Sequence, residues 1–272
     1  MELMNKTVVI TGGAGGIGSA LAKAAADQGA NVVVSDLSIE AAQKVADAVG
    51  GIANACDVSV EAQVRALIAQ AEAEYGQVDV FVSNAGFAVP EPSHVASADN
   101  DVWQKNWDIH VMAHVYASRD LLPKMIERGD GYLVNVASAA GLLAQISDAA
   151  YSATKHAAVS LAESLHIGHA DQGIKVSVVC PQYVNTNIIG DAKRGENDEF
   201  PEGLLTPAQC ADTIVQGIND ETFLILPHPE VAQFAALRGT DVNRWLGGMR
   251  KLRRRVTGDD GRVDLKRMFL RE

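Results

Sequence analysis

The sequence predicts a single α/β domain, a doubly wound parallel sheet of about seven strands with helices on both faces. Two observations predict it. Short β-branched runs alternate with longer Ala-rich stretches of helical period from the first residues onward, the signature of βαβ units. The first such run also passes straight into a glycine-rich turn and then a helix, a context in which the backbone approaches something closely.

In chain order, Thr7-Val8-Val9-Ile10 opens the sheet, a helical pattern follows near 17–28, and the Val-rich run at 31–35 supplies the second strand. A strand at 52–55 lies between helical patterns near 38–48 and 61–75. Apolar runs predict strands at 78–83 and 131–136, separated by a long helical pattern near 99–127. A helix near 150–172, a strand at 175–179, a helix near 207–219 and a strand at 223–226 complete the series. Right-handed crossovers wind these into one sheet. No Pro/Ser-rich spacer, low-complexity tract or internal repeat divides the chain, so residues 1–237 read as one domain. Residues 238–272 read as a helical extension of it, in which Trp245, Leu246, Met249 and Leu252 recur at roughly helical spacing.

Composition excludes several classes. With 47% apolar and 21% charged residues the chain is ordinarily globular, and a net charge of −11 argues against nucleic acid as a partner. The charge is uneven: the extension holds eleven Lys/Arg against five Asp/Glu and carries +6, leaving −17 on the preceding 237 residues. Its run Arg250-Lys251-Leu252-Arg253-Arg254-Arg255 fits either an anionic surface or acidic patches on the same or a neighbouring subunit. No apolar leader precedes the first strand and no apolar run is long enough to span a bilayer, which predicts a cytoplasmic protein with no membrane partner. Cys56, Cys180 and Cys210 lack metal spacing and read as buried free thiols.

In doubly wound sheets ligands bind beyond the carboxyl ends of the strands. The first strand ends in Thr11-Gly12-Gly13-Ala14-Gly15-Gly16-Ile17-Gly18, where glycines permit a tight turn and the helix N-terminus offers N–H groups to a pyrophosphate. The second ends in Asp36-Leu37, about twenty residues on, where a carboxylate accepts hydrogen bonds from an adenosine ribose and repels a 2′-phosphate. No Lys or Arg lies in the turn or at 35–40, so NAD is expected over NADP. Asp57-Val58 and Asn84-Ala85-Gly86 follow the third and fourth strands, beside the expected adenine and ribose positions.

The fifth strand delivers Ser138, and Tyr151 and Lys155 follow thirteen and seventeen residues later. Tyr151 and Lys155 are four apart on a helix and share one face. An ammonium beside a phenol favours the phenolate and is expected to bring Tyr151 down toward working pH, as a general acid/base requires. A hydroxyl at Ser138 donates to a carbonyl oxygen held against that phenol.

These motifs, in this order over residues 5–226, resemble the short-chain dehydrogenase/reductase (SDR) family, whose fold is Rossmann-type. The resemblance implies an NAD-dependent oxidoreductase that moves a hydride between a secondary alcohol or ketone and the nicotinamide. Tyr151 would exchange the proton, Ser138 would orient the substrate oxygen, and Lys155 would tune Tyr151 and bind the nicotinamide ribose. Pro181-Gln182-Tyr183-Val184-Asn185-Thr186 resembles the family's Pro-Gly-x-x-x-Thr segment, which places Val184 and Thr186 at the carboxamide and Gln182 where a glycine is usual. His110 stands where the family has an asparagine that holds a proton-relay water. Two readings of it stay open: a replacement with its own pH dependence, or a satisfied core histidine. His110 and His114 are spaced like metal ligands, yet no zinc motif accompanies them and no metal is expected.

The polar segment 187–206 lies where the family has a substrate lid, and Leu142, Gln145, Ile146 and Tyr183 are the pocket candidates, a mixture suited to a moderately apolar alcohol or ketone. By the same resemblance the 99–127 and 150–172 helices pair between subunits, implying a homodimer or homotetramer. Two other functions share these motifs: a nucleotide-binding sensor or scaffold, and an isomerase or epimerase that recycles tightly bound NAD.

Overall fold

Strand β1 (Thr7–Thr11) is buried along its whole length, because parallel strands covered on both faces require apolar residues at consecutive positions. It lies at the centre of a computed structural model that describes residues 1–192, 195, 201–258 and 261–269. Around β1 run β2 (Asn31–Asp36), β3 (Ile52–Ala55), β4 (Val80–Ser83), β5 (Gly131–Val136) and β6 (Ile174–Val179). A two-stranded parallel sheet, β7 (Tyr183–Val184) and β8 (Leu204–Leu205), stands apart, and β9 (Leu224–Ile225) closes the main sheet. The main sheet is parallel throughout, in the order β3-β2-β1-β4-β5-β6-β9.

Alternate residues of each strand feed two cores. Val9, Phe81, Leu133 and Val178 meet one set of helices: α3 (Glu61–Tyr75) through Leu67 and Ile68, α5 (Ala113–Arg128) through Leu121 and Met125, and α6 (Ala149–His169) through Ala158 and Ala162. Ile10, Val82 and Val134 meet the other: α1 (Gly16–Asp27) through Leu21, α2 (Ile39–Val49) through Ala42 and Ala46, and α7 (Pro207–Asn219) through Ile214 and Ile218. The strand order reverses between β1 and β4, which opens a crevice at their carboxyl ends.

Four details differ from expectation. The long helix breaks into α4 (Asn100–Trp107), a π turn (Asp108–Met112) and α5. The helix expected to 172 ends at His169 in a 3-10 turn over Ala170–Gln172. The β7–β8 pair has no counterpart in the sequence reading. The extension is a helical hairpin of α8 (Glu230–Thr240) and α9 (Val242–Val256), and α8 runs across residue 237, where the sequence reading drew its boundary. In that hairpin Arg238 stacks 5.6 Å over the Trp245 ring. Of the expected lid, residues 193, 194 and 196–200 lie outside the described residues. Among the described residues no helix is long and apolar enough to cross a membrane.

Candidate active site

The crevice is closed on one side by the glycine turn. Gly12 has φ of +61°, and a Cβ there would stand 2.8 Å from the Ala85 Cα. A Cβ on Gly18 would meet the Gly12 carbonyl oxygen at 2.2 Å, so the turn folds back on the first turn of α1. Asn84 stitches the turn to β4, its Nδ2 donating to the Thr11 and Gly12 carbonyls at 3.0 and 3.1 Å. Thr11 Oγ1 accepts from the Asn84 N–H at 3.1 Å. Helix α1 begins after Gly15 with no side-chain cap and no acidic residue in its first turn, so its leading N–H groups face the crevice. Thr186, after the short strand β7, crosses toward Gly16: a Cβ there would lie 2.6 Å from Thr186 Cγ2. At the end of β2, Asp36 accepts from the Ala14 N–H at 3.0 Å and the Leu37 N–H at 2.8 Å, and the Leu37 side chain is exposed. Asp57 instead folds on its own turn, accepting from the Ser59 hydroxyl at 2.6 Å. Val58 is buried in the core. The cradle of crowded glycines, uncapped N–H groups and one carboxylate therefore fits a nicotinamide dinucleotide.

At the other end α6 carries Tyr151 and Lys155, as their spacing predicts. Ser138 is buried after β5, and its hydroxyl lies close enough to the Tyr151 phenol to favour the phenolate. Its Oγ also accepts from the Ala140 N–H at 3.1 Å. Lys155 is 3% exposed and donates to the Val136 carbonyl at 2.9 Å, with its Nζ 5.5 Å from the centre of the Tyr151 ring. Burial pushes Lys155 down to about 8. Burial also pushes Tyr151 up to about 12, which the nearby Ser138 hydroxyl only partly opposes. The expected lowering of the phenol is thus reversed, because removing a phenolate from water costs more than its neighbours return.

His110 sits in the π turn and is fully buried. Its Nε2 accepts from the Phe87 N–H at 3.2 Å, which fixes the ring proton on Nδ1. Nδ1 then donates to Thr154 Oγ1 at 3.1 Å, whose own hydroxyl donates to the Ala150 carbonyl at 2.9 Å. Burial drives His110 down to about 2, helped by the Lys155 charge. Both nitrogens being engaged by the protein, His110 has none to offer a water, and of its two readings the geometry supports the satisfied core histidine. His114, pushed by burial to about 3, lies against Asn135 outside hydrogen-bond geometry. No cluster of metal-ligating residues forms among the described residues.

Of the pocket candidates, the Gln145 side chain lies beside the Tyr183 phenol, Ile146 is buried, and Leu142 packs on the core. Pro181 turns its carbonyl to the Ala139 N–H at 2.8 Å, and Val184 is buried. The sequence reading does not single out Asp148, Glu91 or His228. His228 is 2% exposed and pins the segment after β6: its Nδ1 accepts from the Gln182 N–H, and its Nε2 donates to the Tyr183 carbonyl, both at 3.1 Å. Gln182 uses its backbone here, so a side chain in place of the family's glycine is accommodated. Asp148, three residues before Tyr151 at a helix start, carries a cap signal visible in the sequence. His228 carries none.

A doubly wound sheet with a glycine turn after β1, and with hydroxyl, phenol and ammonium gathered beyond β5, defines a nucleotide-linked oxidoreductase. The chain belongs to the short chain dehydrogenase family, whose model matches residues 6–197. It is similar to oxidoreductase UcpA of Salmonella typhimurium, 33% identical over 260 residues that cover 91% of this chain and 92% of the relative. It is also similar to cis-4-hydroxycyclohexanecarboxylate dehydrogenase of Sinomonas cyclohexanicum, 35% identical over 232 residues, or 81% and 92% of the two chains. Among solved structures, a short chain dehydrogenase/reductase from Burkholderia phymatum in complex with NAD superposes with a TM-score of 0.80 at 29% identity. That match covers 89% of this chain and 96% of the other.

Proposed function

We propose that this protein is an NAD-dependent dehydrogenase of moderately apolar secondary alcohols, ring alcohols included, with Tyr151 as general acid/base. The observation that carries it is the convergence of the Ser138 hydroxyl and the Tyr151 phenol beside the buried Lys155 ammonium. A substrate oxygen placed between the two hydroxyls is held by one and exchanges its proton with the other. The NAD-bound neighbour and the hydroxycyclohexane-oxidising relative support the cofactor and the substrate class.

Bound nicotinamide supplies the hydride acceptor in oxidation and the donor in reduction. The rest falls to the chain. In reduction the substrate oxygen gains charge, and a phenol held near 12 is still acidic enough to protonate an alkoxide, whose conjugate acid lies near water's value of about 16. Ser138 holds that oxygen during the transfer, and Lys155 sits where its charge favours the phenolate left behind. In oxidation the same path runs backwards, and rising pH assists it. The glycine turn and uncapped α1 hold the pyrophosphate, Asp36 the adenosine ribose, and Val184 and Thr186 the carboxamide end.

The test mixes the protein with NAD and a panel of cyclic and linear secondary alcohols and follows reduced nicotinamide by its near-ultraviolet band. Release of NADH distinguishes this reading from a sensor or an epimerase. Asp36 is read separately by calorimetric binding. NAD is expected to bind at least about tenfold more tightly than NADP, and Asp36→Ala to narrow the ratio. An equal preference in the unaltered protein would overturn the role given to Asp36. In the same reading the protein works in the cytoplasm as a homodimer or homotetramer without nucleic acid or membrane partners, as one domain extended by the α8–α9 hairpin.

A further inference from the structure

Two carboxylates outside the proton path meet at the N-terminus of α6. Asp148 is 4% exposed, and its oxygens serve different segments: Oδ1 accepts from the Tyr151 N–H at 3.0 Å, Oδ2 from the Val89 N–H at 3.1 Å. Glu91 answers from the other side. Its Oε1 accepts from the Ala149 N–H at 2.7 Å, and its own N–H donates to the Ser147 carbonyl at 3.0 Å. Ser147 has φ of +70°, a left-handed conformation unfavourable for a residue with a side chain, and there the chain turns its carbonyl toward Glu91.

Glu91 and Val89 belong to the loop that leaves β4 for α4. That loop starts at the reaction end. A Cβ on Gly86 would lie 3.4 Å from His110 Nε2 and 3.7 Å from Lys155 Nζ, and the Phe87 N–H donates to His110. Three hydrogen bonds therefore join the loop to the start of α6, and a fourth, from the Tyr151 N–H to Asp148, ties them to the turn of helix that presents Tyr151. A plain helix cap would need only one of the Asp148 oxygens.

We propose that Asp148 and Glu91 are positioning residues of the reaction: together they clasp the loop to the start of α6 and fix Tyr151 against it. The inference rests on the reading of Tyr151 given above. An ionised Asp148 accepts at both oxygens, whereas a protonated one carries a hydrogen on one oxygen and gives up one of its two N–H partners. Burial, with the Glu91 charge adding to it, pushes Asp148 up to about 6. The groups that bear on it are the Glu91 carboxylate from the loop and the Tyr151 phenol and two backbone N–H groups, with no Lys or Arg among them. The clasp therefore loosens below about pH 6, where ordinary carboxylates are still ionised.

Hydrogen exchange of the full chain between pH 5 and 8, corrected for intrinsic rates, reads the clasp without turnover. Peptides covering 86–98 and 147–155 are expected to lose protection together below about pH 6. Glu91→Gln keeps an acceptor for Ala149 but removes the charge that raises Asp148, so the step moves to lower pH while protection at pH 8 is unchanged. Asp148→Asn offers one acceptor oxygen to two N–H groups, so the step disappears and kcat/KM for an alcohol found in the panel falls by about tenfold. Protection that is independent of pH in the unaltered protein, or a Glu91→Gln step at the unaltered pH, overturns the clasp. Tyr151→Phe keeps every bond of the clasp and should keep the step, so an active Phe variant would count against the Tyr151 reading alone.

Discussion

Tyr151→Phe is expected to lower kcat by about a thousandfold while the fold and the binding of NAD stay intact. The phenol is the one group on the site that meets Ser138, stands within reach of the Lys155 charge and can carry a proton. General acid/base groups contribute roughly 10² to 10⁴ in rate, and no neighbour can take over the transfer. Ser138 would keep the Ala140 N–H, Lys155 would keep the Val136 carbonyl, and the ring would keep its edge-on contact with His110 at 5.3 Å. Stopped assays of NADH release, with calorimetric NAD binding and a melting curve as controls, measure this. A Phe variant within tenfold of the parent would refute the mechanism.

The second large effect is on stability in acid. Burial holds His110 near 2 and His114 near 3, far below the value of about 6.5 in an unfolded chain. Both are neutral in the folded protein and charged in the unfolded one through the window between. The unfolded state binds more protons there, so stability is complete above about pH 6.5 and is lost as pH falls toward 3. Each group contributes about 1.4 kcal/mol per pH unit in that window. Asp148 runs the other way between about pH 4 and 6, since its folded value is raised and the native state keeps its proton. Urea unfolding at a series of pH values separates these. The variant His110→Asn should flatten the slope between pH 4 and 6 by about 1.4 kcal/mol per unit. An unchanged slope would mean that His110 is already protonated in the folded protein.

Legibility in the sequence followed the range of the interactions. Helices α3 and α7 and strands β3 and β5 begin and end where the residue pattern places them, because burial on one face or both is written into neighbouring residues. The β7–β8 pair was invisible, since two-residue strands leave no period to read. At the site, Tyr151 and Lys155 were legible because four residues on a helix set a shared face. Their electrostatics were not, because the sign of the Tyr151 shift depends on burial by segments distant in the chain. Asp148 finds Val89 across 59 positions, and His228 finds Gln182 across 46, and no local pattern encodes such pairings.

The π turn at Asp108–Met112 has a consequence for length rather than for chemistry. A π turn closes over one residue more than the α-helix around it, so the chain there carries a residue that regular helix would not need. Each helical residue turns the axis by about 100°. Deleting one residue of the five would mend the helix and leave α4 and α5 nearly as they lie, because four residues at the α rotation replace five at the smaller π rotation. Only the side chains of the turn itself would be re-aimed. His110 would then lose its register between Phe87 and Thr154 although every side chain that touches it was unchanged. The aim of that ring is set by a count of residues, so insertions and deletions in this stretch should be tolerated less well than most substitutions.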